Sequence, residues 1–219
     1  MSHVEDYINE SIQILEQLDQ SRIERMIEIL CTLKARGGRL FFLGVGGSAA
    51  NCSHAVNDFR KLVEIESYTP VDNVAELTAR TNDEGWHTVF AEYLKTSQLG
   101  ENDGVFVLSV GGGNKEKNIS ANLVHALDIA RERGSAILGI VGRDDGYTAQ
   151  NAHACVVVPT VDAAKVTPHS EGFQGVIWHM IVSDPRLNSV QTKWESVSSK
   201  PEVKRHGPPK RLMPKGRDR

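Results

Sequence analysis

An α/β chain on a doubly wound parallel sheet of about five strands is what this sequence predicts, and three observations carry that expectation. Short continuous apolar runs recur at residues 40–43, 104–109, 136–141 and 154–159, as befits strands buried on both faces. Longer stretches of helical period separate them. Two of the runs lead straight into glycine-rich loops, Gly44-Val45-Gly46-Gly47-Ser48 and Ser109-Val110-Gly111-Gly112-Gly113-Asn114-Lys115. In such sheets ligands bind outside the carboxyl ends of the strands, where both loops fall.

In chain order, apolar side chains at Tyr7, Ile8, Ile12, Leu15 and Leu18 predict a helix over 6–18. Ile23, Met26, Ile27, Leu30 and Leu33 form one stripe of a second helix over 21–36, ended by Gly37-Gly38. This hairpin, residues 5–36, either covers the chain's own sheet or packs on a neighbouring subunit. The stripe at Ile23, Ile27 and Leu30 needs a cover, and symmetric association is a common way to supply one, so a homo-oligomer is expected. After the first loop, residues 49–64 lack Gly and Pro and predict a helix. Residues 73–79 read as a short helix or turn, and Thr81-Asn82-Asp83-Glu84-Gly85 as a polar loop before a helix over 86–98. The second loop precedes a helix ending near 133. A loop over 142–146 and a short helix over 148–152 join the last two strands. A final helix over 170–183 stops at Asp184-Pro185.

Composition sets the boundaries. The 219 residues suffice for one α/β domain with appendages. A hydrophobic share of 40% and a charged share of 24% are ordinary for a globular protein. No apolar run is long enough to cross a bilayer and no signal-peptide pattern opens the chain, so a cytoplasmic protein is expected. Cys31, Cys52 and Cys155 are odd in number and widely spaced, which suits reduced, buried thiols rather than disulfides or a zinc knuckle. Residues 1–199 are expected to form the domain, and 200–219 a Pro-containing basic tail. That tail holds eight Lys or Arg against Glu202 and Asp218, a net +6, which leaves -9 for the body of a chain of net charge -3. It carries no aromatic residue for stacking on bases, so nucleic acid is not the expected partner.

The first glycine loop aims backbone N–H groups and the positive end of a helix at its contents, and a phosphate suits that environment. Glycines there also serve simply to turn the chain tightly. The loop lacks the Gly-Lys-Ser/Thr of a nucleoside triphosphate loop and the Gly-x-Gly-x-x-Gly of a dinucleotide fold. Just inside the following helix, His54 and Asp58 stand four residues apart and share a face. An anion cradle beside a potential metal-ligand pair points to chemistry on a phosphorylated small molecule.

The residues from Phe42 through Gly44-Val45-Gly46-Gly47-Ser48-Ala49-Ala50 to His54 resemble the first motif of sugar isomerase (SIS) domains of the phosphoheptose isomerase type. So do Asn82-Asp83-Glu84-Gly85, the loop from Ser109, Gly139-Ile140-Val141-Gly142-Arg143-Asp144, and the last helix with Glu171 and His179. The resemblance spans roughly residues 7–182. It implies an αβα sandwich and a homotetramer with active sites at subunit interfaces. It also implies interconversion of sedoheptulose 7-phosphate and D-glycero-D-manno-heptose 7-phosphate for lipopolysaccharide or capsule heptose, commonly with bound zinc. Carried over by position, the divalent ion, expected to be Zn2+, would be held by His54, Asp58, Glu171 and His179. Two imidazoles and two carboxylates suit such an ion. Substrate and phosphate binding would fall to Gly46, Gly47, Ser48, Asn82, Asp83, Ser109, Gly111, Gly112, Asn114 and Lys115, and catalysis to Asp58, Glu171, His179 and Asp83.

The chain departs from the family at four places. Val45 replaces an Asn, Asp58 replaces a Glu, Glu171 replaces a Gln, and the second loop has exchanged most of its hydroxyls for glycines. An aldose–ketose isomerase needs a proton moved between adjacent carbons, an acid/base for the oxygens, and a cation or donors for the enediolate. The resemblance assigns His179 both metal binding and base catalysis, which one nitrogen cannot do at once. Asp83 is the reserve for the carbon-bound proton, or else a cap for the helix at Trp86. Asp58 is too short to serve as ligand and shuttle together, which leaves the shuttle to Glu171. The second function class is a non-catalytic SIS protein, either a scaffold of the DnaA initiator-associating type or a sugar-phosphate sensor.

Overall fold

The computed structural model describes residues 2–188 and 190, so the expected basic tail lies outside the described residues. Five strands, β1 Leu40–Leu43, β2 Ser67–Tyr68, β3 Gly104–Ser109, β4 Ala136–Val141 and β5 Ala154–Val157, form one sheet. All its pairs are parallel and the order is β2-β1-β3-β4-β5. Eight α-helices surround it: α1 His3–Gln17, α2 Gln20–Ala35, α3 Gly47–Lys61, α4 Val74–Asp83, α5 Val89–Thr96, α6 Ala121–Glu132, α7 Tyr147–Asn151 and α8 Val166–Val182. Because side chains alternate along a strand, each strand feeds two cores. Leu40, Phe42, Phe106, Leu108, Leu138, Ile140 and Val156 face α2, α3 and α8. Phe41, Leu43, Val105, Val107 and Ile137 face α5 and α6. The first core centres on Phe42, Phe59 and Phe106, whose ring centroids lie 5.0–6.1 Å apart.

The doubly wound sheet and the two helices ahead of its first strand are as expected, but α2 packs on β5 and α1 on the start of α8 rather than as a hairpin. Four strands coincide with the apolar runs. The fifth, β2, has only two residues at the sheet edge, too few for a periodic pattern to declare. Several boundaries differ. Ser2 and Glu5 close a reciprocal capping box, which starts α1 at His3. Thr81, Asn82 and Asp83 belong to the last turn of α4 rather than a loop, and the following helix starts at Val89. The final helix begins at Val166, with Pro168 in its first turn, where a missing N–H costs nothing.

The stripe on α2 is also corrected. Ile23, Ile27 and Leu30 are 5%, 3% and 0% exposed because α2 lies on the chain's own sheet against β5. They need no partner. The uncovered stripe is on α1, where Val4, Ile8, Ile12 and Leu15 are each about half exposed or more. The inner face of α1 is held by Ile14, by Tyr7 stacked on His169 at 4.3 Å, and by Glu10 bonded to Lys165 and His169.

A partly buried ion pair joins the starts of β1 and β3. Asp103 accepts the Arg39 backbone N–H at 2.9 Å, the Arg39 guanidinium on both oxygens, and the Gly100 N–H at 3.0 Å. Burial by itself would raise the Asp103 carboxyl. These donors outweigh it and hold the group below its ordinary value. A depressed carboxyl contributes stability above its unfolded pKa of about 4, and that contribution disappears as pH falls through the folded value. Asp103→Asn is therefore expected to cost about 1–3 kcal/mol at pH 7. In urea unfolding at a series of pH values, the difference should shrink on acidification; a difference independent of pH would show that the pair contributes no linkage.

Candidate active site

The site follows from how α3 and α8 run. Both follow strands of the parallel sheet and lie side by side, with the first residue of α3, Gly47, against Glu171 in the second turn of α8. Residues 47, 51, 54 and 58 of α3 recur at helical spacing and share one stripe. That stripe meets Glu171, Gln174, Trp178 and His179 of α8, level by level.

At the first level is the glycine loop. Gly46 has φ +67°, a conformation that favours glycine. It caps α3 without a side-chain bond, and the first turn of α3 carries no acid. The Glu171 side chain is seated here: a Cβ built on Gly47 would stand 2.5–2.6 Å from its carboxyl atoms. A side chain at position 47 would push this carboxyl aside. One turn further in, Gln174, fully buried, donates to Ser48 Oγ at 3.1 Å and accepts from Asn51 Nδ2 at 2.8 Å. Asn51 also donates to the Glu171 carbonyl.

Deeper along the seam, His54 Nε2 lies 3.4 Å and His179 Nε2 3.2 Å from the same oxygen, Asp58 Oδ2. Asp58 is 6% exposed. Its Oδ2 accepts from the Trp178 indole at 3.1 Å and its Oδ1 from Asn57 at 3.1 Å. The two imidazoles stay about half exposed, so the group is open on one side. One ligand atom from each of His54, Asp58 and His179 lies within 4.8 Å of the others. Two ligands about 2.1 Å from a tetrahedral ion stand roughly 3.4 Å apart, so both nitrogen–oxygen spacings suit a zinc-like cation with an open position. The donor set, two imidazoles and one carboxylate, fits as well.

The expected ligands are thus partly assembled. His54, Asp58 and His179 come together, whereas the Glu171 carboxylate stands apart at Gly47, two turns up the seam. Asn82 and Asp83 are exposed at the end of α4 and bond to each other at 2.7 Å. Among the described residues, no hydrogen bond joins them to the seam. In the second loop the Ser109 hydroxyl accepts the Gly112 N–H at 3.0 Å, while Gly112 and Gly113 take φ of +70° and +81°. Asn114 is used internally, accepting the Lys117 N–H and pairing with Ile119. Lys115 Nζ pairs with Asp128 at 2.9 Å. Among the described residues the Gly112 N–H is thus used by Ser109, whereas no hydrogen bond is found for the N–H groups of Gly111 and the buried Gly113.

Asn51, Gln174 and Trp178 were not among the sequence candidates. The stripe 47, 51, 54, 58 could have flagged Asn51. Nothing in the sequence indicates that Trp178 turns its N–H to Asp58.

The SIS domain family model matches residues 6–142. The chain belongs to the SIS domain family. It is similar to the phosphoheptose isomerase of Aneurinibacillus thermoaerophilus, 27% identical over 189 residues, covering 82% of this chain and 90% of that protein. It is equally similar to the lincomycin biosynthesis protein LmbN of Streptomyces lincolnensis, 27% identical over 187 residues, with coverages of 83% and 68%. The structure of phosphoheptose isomerase GmhA from Neisseria gonorrhoeae superposes with a TM-score of 0.70 at 22% identity, covering 82% of this chain and 95% of that one. This SIS protein therefore shares that fold. Among its described residues no helix is long and apolar enough to cross a membrane. Burial raises the Cys52 and Cys155 thiols, the latter to about 12, so both stay protonated and inert at neutral pH.

The Ser48–Gln174–Asn51 bridge holds the two helices in register. Gln174→Leu leaves Ser48 buried without its donor, and about 1–3 kcal/mol should be lost in chemical denaturation. An unchanged midpoint would show that Ser48 and Asn51 find other partners.

Proposed function

We propose that this SIS protein is an aldose–ketose isomerase of sugar phosphates, converting sedoheptulose 7-phosphate to D-glycero-D-manno-heptose 7-phosphate. The observation that carries this reading is the seam itself. A buried carboxylate with two open imidazoles shares one helix pair with a glycine loop, in a chain whose relatives include phosphoheptose isomerases. A scaffold has no use for that group, which favours the enzyme over the non-catalytic class.

In this reading His54, Asp58 and His179 hold a divalent ion, Zn2+ by the donor set. When bound, the ion supplies the positive charge that polarises a sugar carbonyl. Trp178 and Asn57 fix the Asp58 carboxylate by hydrogen bonds, which orients the ligand oxygen. The second loop receives the phosphate through the N–H groups of Gly111 and Gly113, with the Lys115 charge beside it. Glu171 has no hydrogen-bond or ionic partner for its carboxylate among the described residues. It is the group that moves the proton between the sugar oxygens. Asp83 stands apart from the seam of its own chain, so any part it takes in carbon-proton transfer requires a neighbouring copy. The Val4, Ile8, Ile12 and Leu15 stripe of α1 supplies the surface for a homo-oligomer, a tetramer with interfacial sites.

Purified protein should turn over sedoheptulose 7-phosphate and carry about one metal ion per chain. Glu171→Gln should lower turnover roughly a hundredfold, the scale of one general acid/base, with metal content intact, whereas Asp58→Asn should lose the metal. Metal lost from Glu171→Gln and retained in Asp58→Asn would reverse these roles. No turnover of any C5 to C7 sugar phosphate by metal-loaded protein would end the enzymatic reading.

Ile8→Glu combined with Ile12→Glu should dissociate the oligomer. Light scattering that finds the parent protein already monomeric at micromolar concentration would remove the shared site with it.

A further inference from the structure

We infer that Trp178 is the positioning residue of the divalent-ion site: one buried indole meets all three candidate ligands and holds Asp58 to a single oxygen. The inference deepens the proposed reading and rests on it for His54, Asp58 and His179 as ligands, but the placing of the indole is a property of the chain alone.

Three observations converge on it. Trp178 precedes His179 on α8 and is 2% exposed, buried against α3 while the imidazole beside it stays open. Its Nε1–H donates at 3.1 Å to Asp58 Oδ2, the oxygen that His54 Nε2 and His179 Nε2 approach at 3.4 and 3.2 Å. Three ring nitrogens therefore converge on one oxygen. The indole also backs both imidazoles, its ring centroid 5.3 Å from His54 at 73° and 5.1 Å from His179 at 45°. Tilted and edge-on pairs attract at such separations. The two imidazoles stand 5.2 Å from each other, so the three rings restrain one another in a triangle.

A buried indole N–H needs an acceptor, and any backbone carbonyl would satisfy it. Here the acceptor is a carboxylate, and a bond to an ionised oxygen is roughly twice as strong as a neutral one. Apart from the imidazoles, the other donor to Asp58 among the described residues is Asn57, on Oδ1. With a donor on each oxygen the carboxylate is restrained from turning about its Cβ–Cγ bond. Each ionised oxygen has two lone pairs, and the indole takes one of those on Oδ2. An ion entering between His54 and His179 is met by that oxygen alone. Without the indole the carboxylate is free to turn, and both its oxygens can crowd the position that a catalytic site keeps open. Trp178 thus governs the number of ligand atoms as well as their placing.

The test titrates metal-free protein with Zn2+ against a chromophoric chelator, and with Co2+ as a visible probe of ligand number. Trp178→Phe retains a ring and loses the N–H. Its zinc affinity should fall about 10–100-fold, the scale of losing a partner that orients a ligand. The intense visible bands of four-coordinate Co2+ in the parent should weaken in the variant. Unchanged zinc affinity overturns the inference. A lower affinity with the parent's cobalt bands also overturns it, because the indole would then serve packing alone. A parent that binds no zinc overturns it too. Should Trp178→Phe lack the far-UV spectrum of the parent, the parent's own proton NMR decides: one indole N–H signal should shift as zinc reaches one equivalent, and no shift in any indole signal overturns the inference. Turnover of sedoheptulose 7-phosphate by the parent is read separately. The expected affinity loss without turnover keeps this inference and sinks the isomerase reading, and turnover with equal zinc affinity in parent and variant does the reverse.

Discussion

The arrangement of this protein depends on the parallel packing of α3 on α8, and that packing depends on a buried amide. Gln174 is fully enclosed and bonds on both sides, to Ser48 Oγ and Asn51 Nδ2. A buried amide left unpaired costs more than its bonds contribute, so only the register that satisfies it is tolerated. A slip of α8 by one residue would turn Gln174 away from Ser48 and carry His179 away from Asp58. Asn51 on the Glu171 carbonyl and Trp178 on Asp58 reinforce that register, whereas the apolar contacts between the helices fix proximity but set register weakly. The amide converts a generic helix pair into one that delivers His54, Asp58 and His179 to a common point.

The two carboxylates of the seam have different settings. Asp58 is enclosed and held by an indole and an amide, which keeps its oxygen in place while the two imidazoles remain open to the outside. Glu171 has no such restraint and lies at the positive end of α3. A carboxylate that must act as a ligand benefits from a rigid setting, and one that must exchange a proton benefits from freedom to turn. The replacement of a longer by a shorter acid at 58, and of a neutral amide by an acid at 171, is consistent with dividing those tasks between two positions.

The position of α1 shows how a helix can be necessary without belonging to the core. Its inner face is tied to α8 by Tyr7 and Glu10, close to where α8 begins. Its outer face presents four large apolar side chains. Surface of that kind in one stripe, rimmed by polar residues, marks contact with another protein surface more often than exposure for its own sake. The amino end of α8, on which Glu171 sits, is thus tied to α1.

The sequence by itself determined the sheet and most of its helices. The runs at 40–43, 104–109, 136–141 and 154–159 are short, apolar and unbroken, and a strand enclosed on both faces admits no other pattern. It also determined that both glycine loops would lie at the ligand-binding end, and that His54 and Asp58 would share a face, because a four-residue spacing is a local property of a helix. What it left open is what only tertiary structure decides. The edge strand β2 is two residues long and forms because β1 offers it partners. The stripe of α2 looks the same whether it covers this sheet or a neighbour, and only the docking of α2 on β5 shows which. The direction of Glu171 was also undetermined, since its eight-residue spacing from His179 allows both to serve one ion. Whether they do depends on the rotamer, and that is governed by a residue 124 positions earlier, Gly47, whose missing side chain leaves the space.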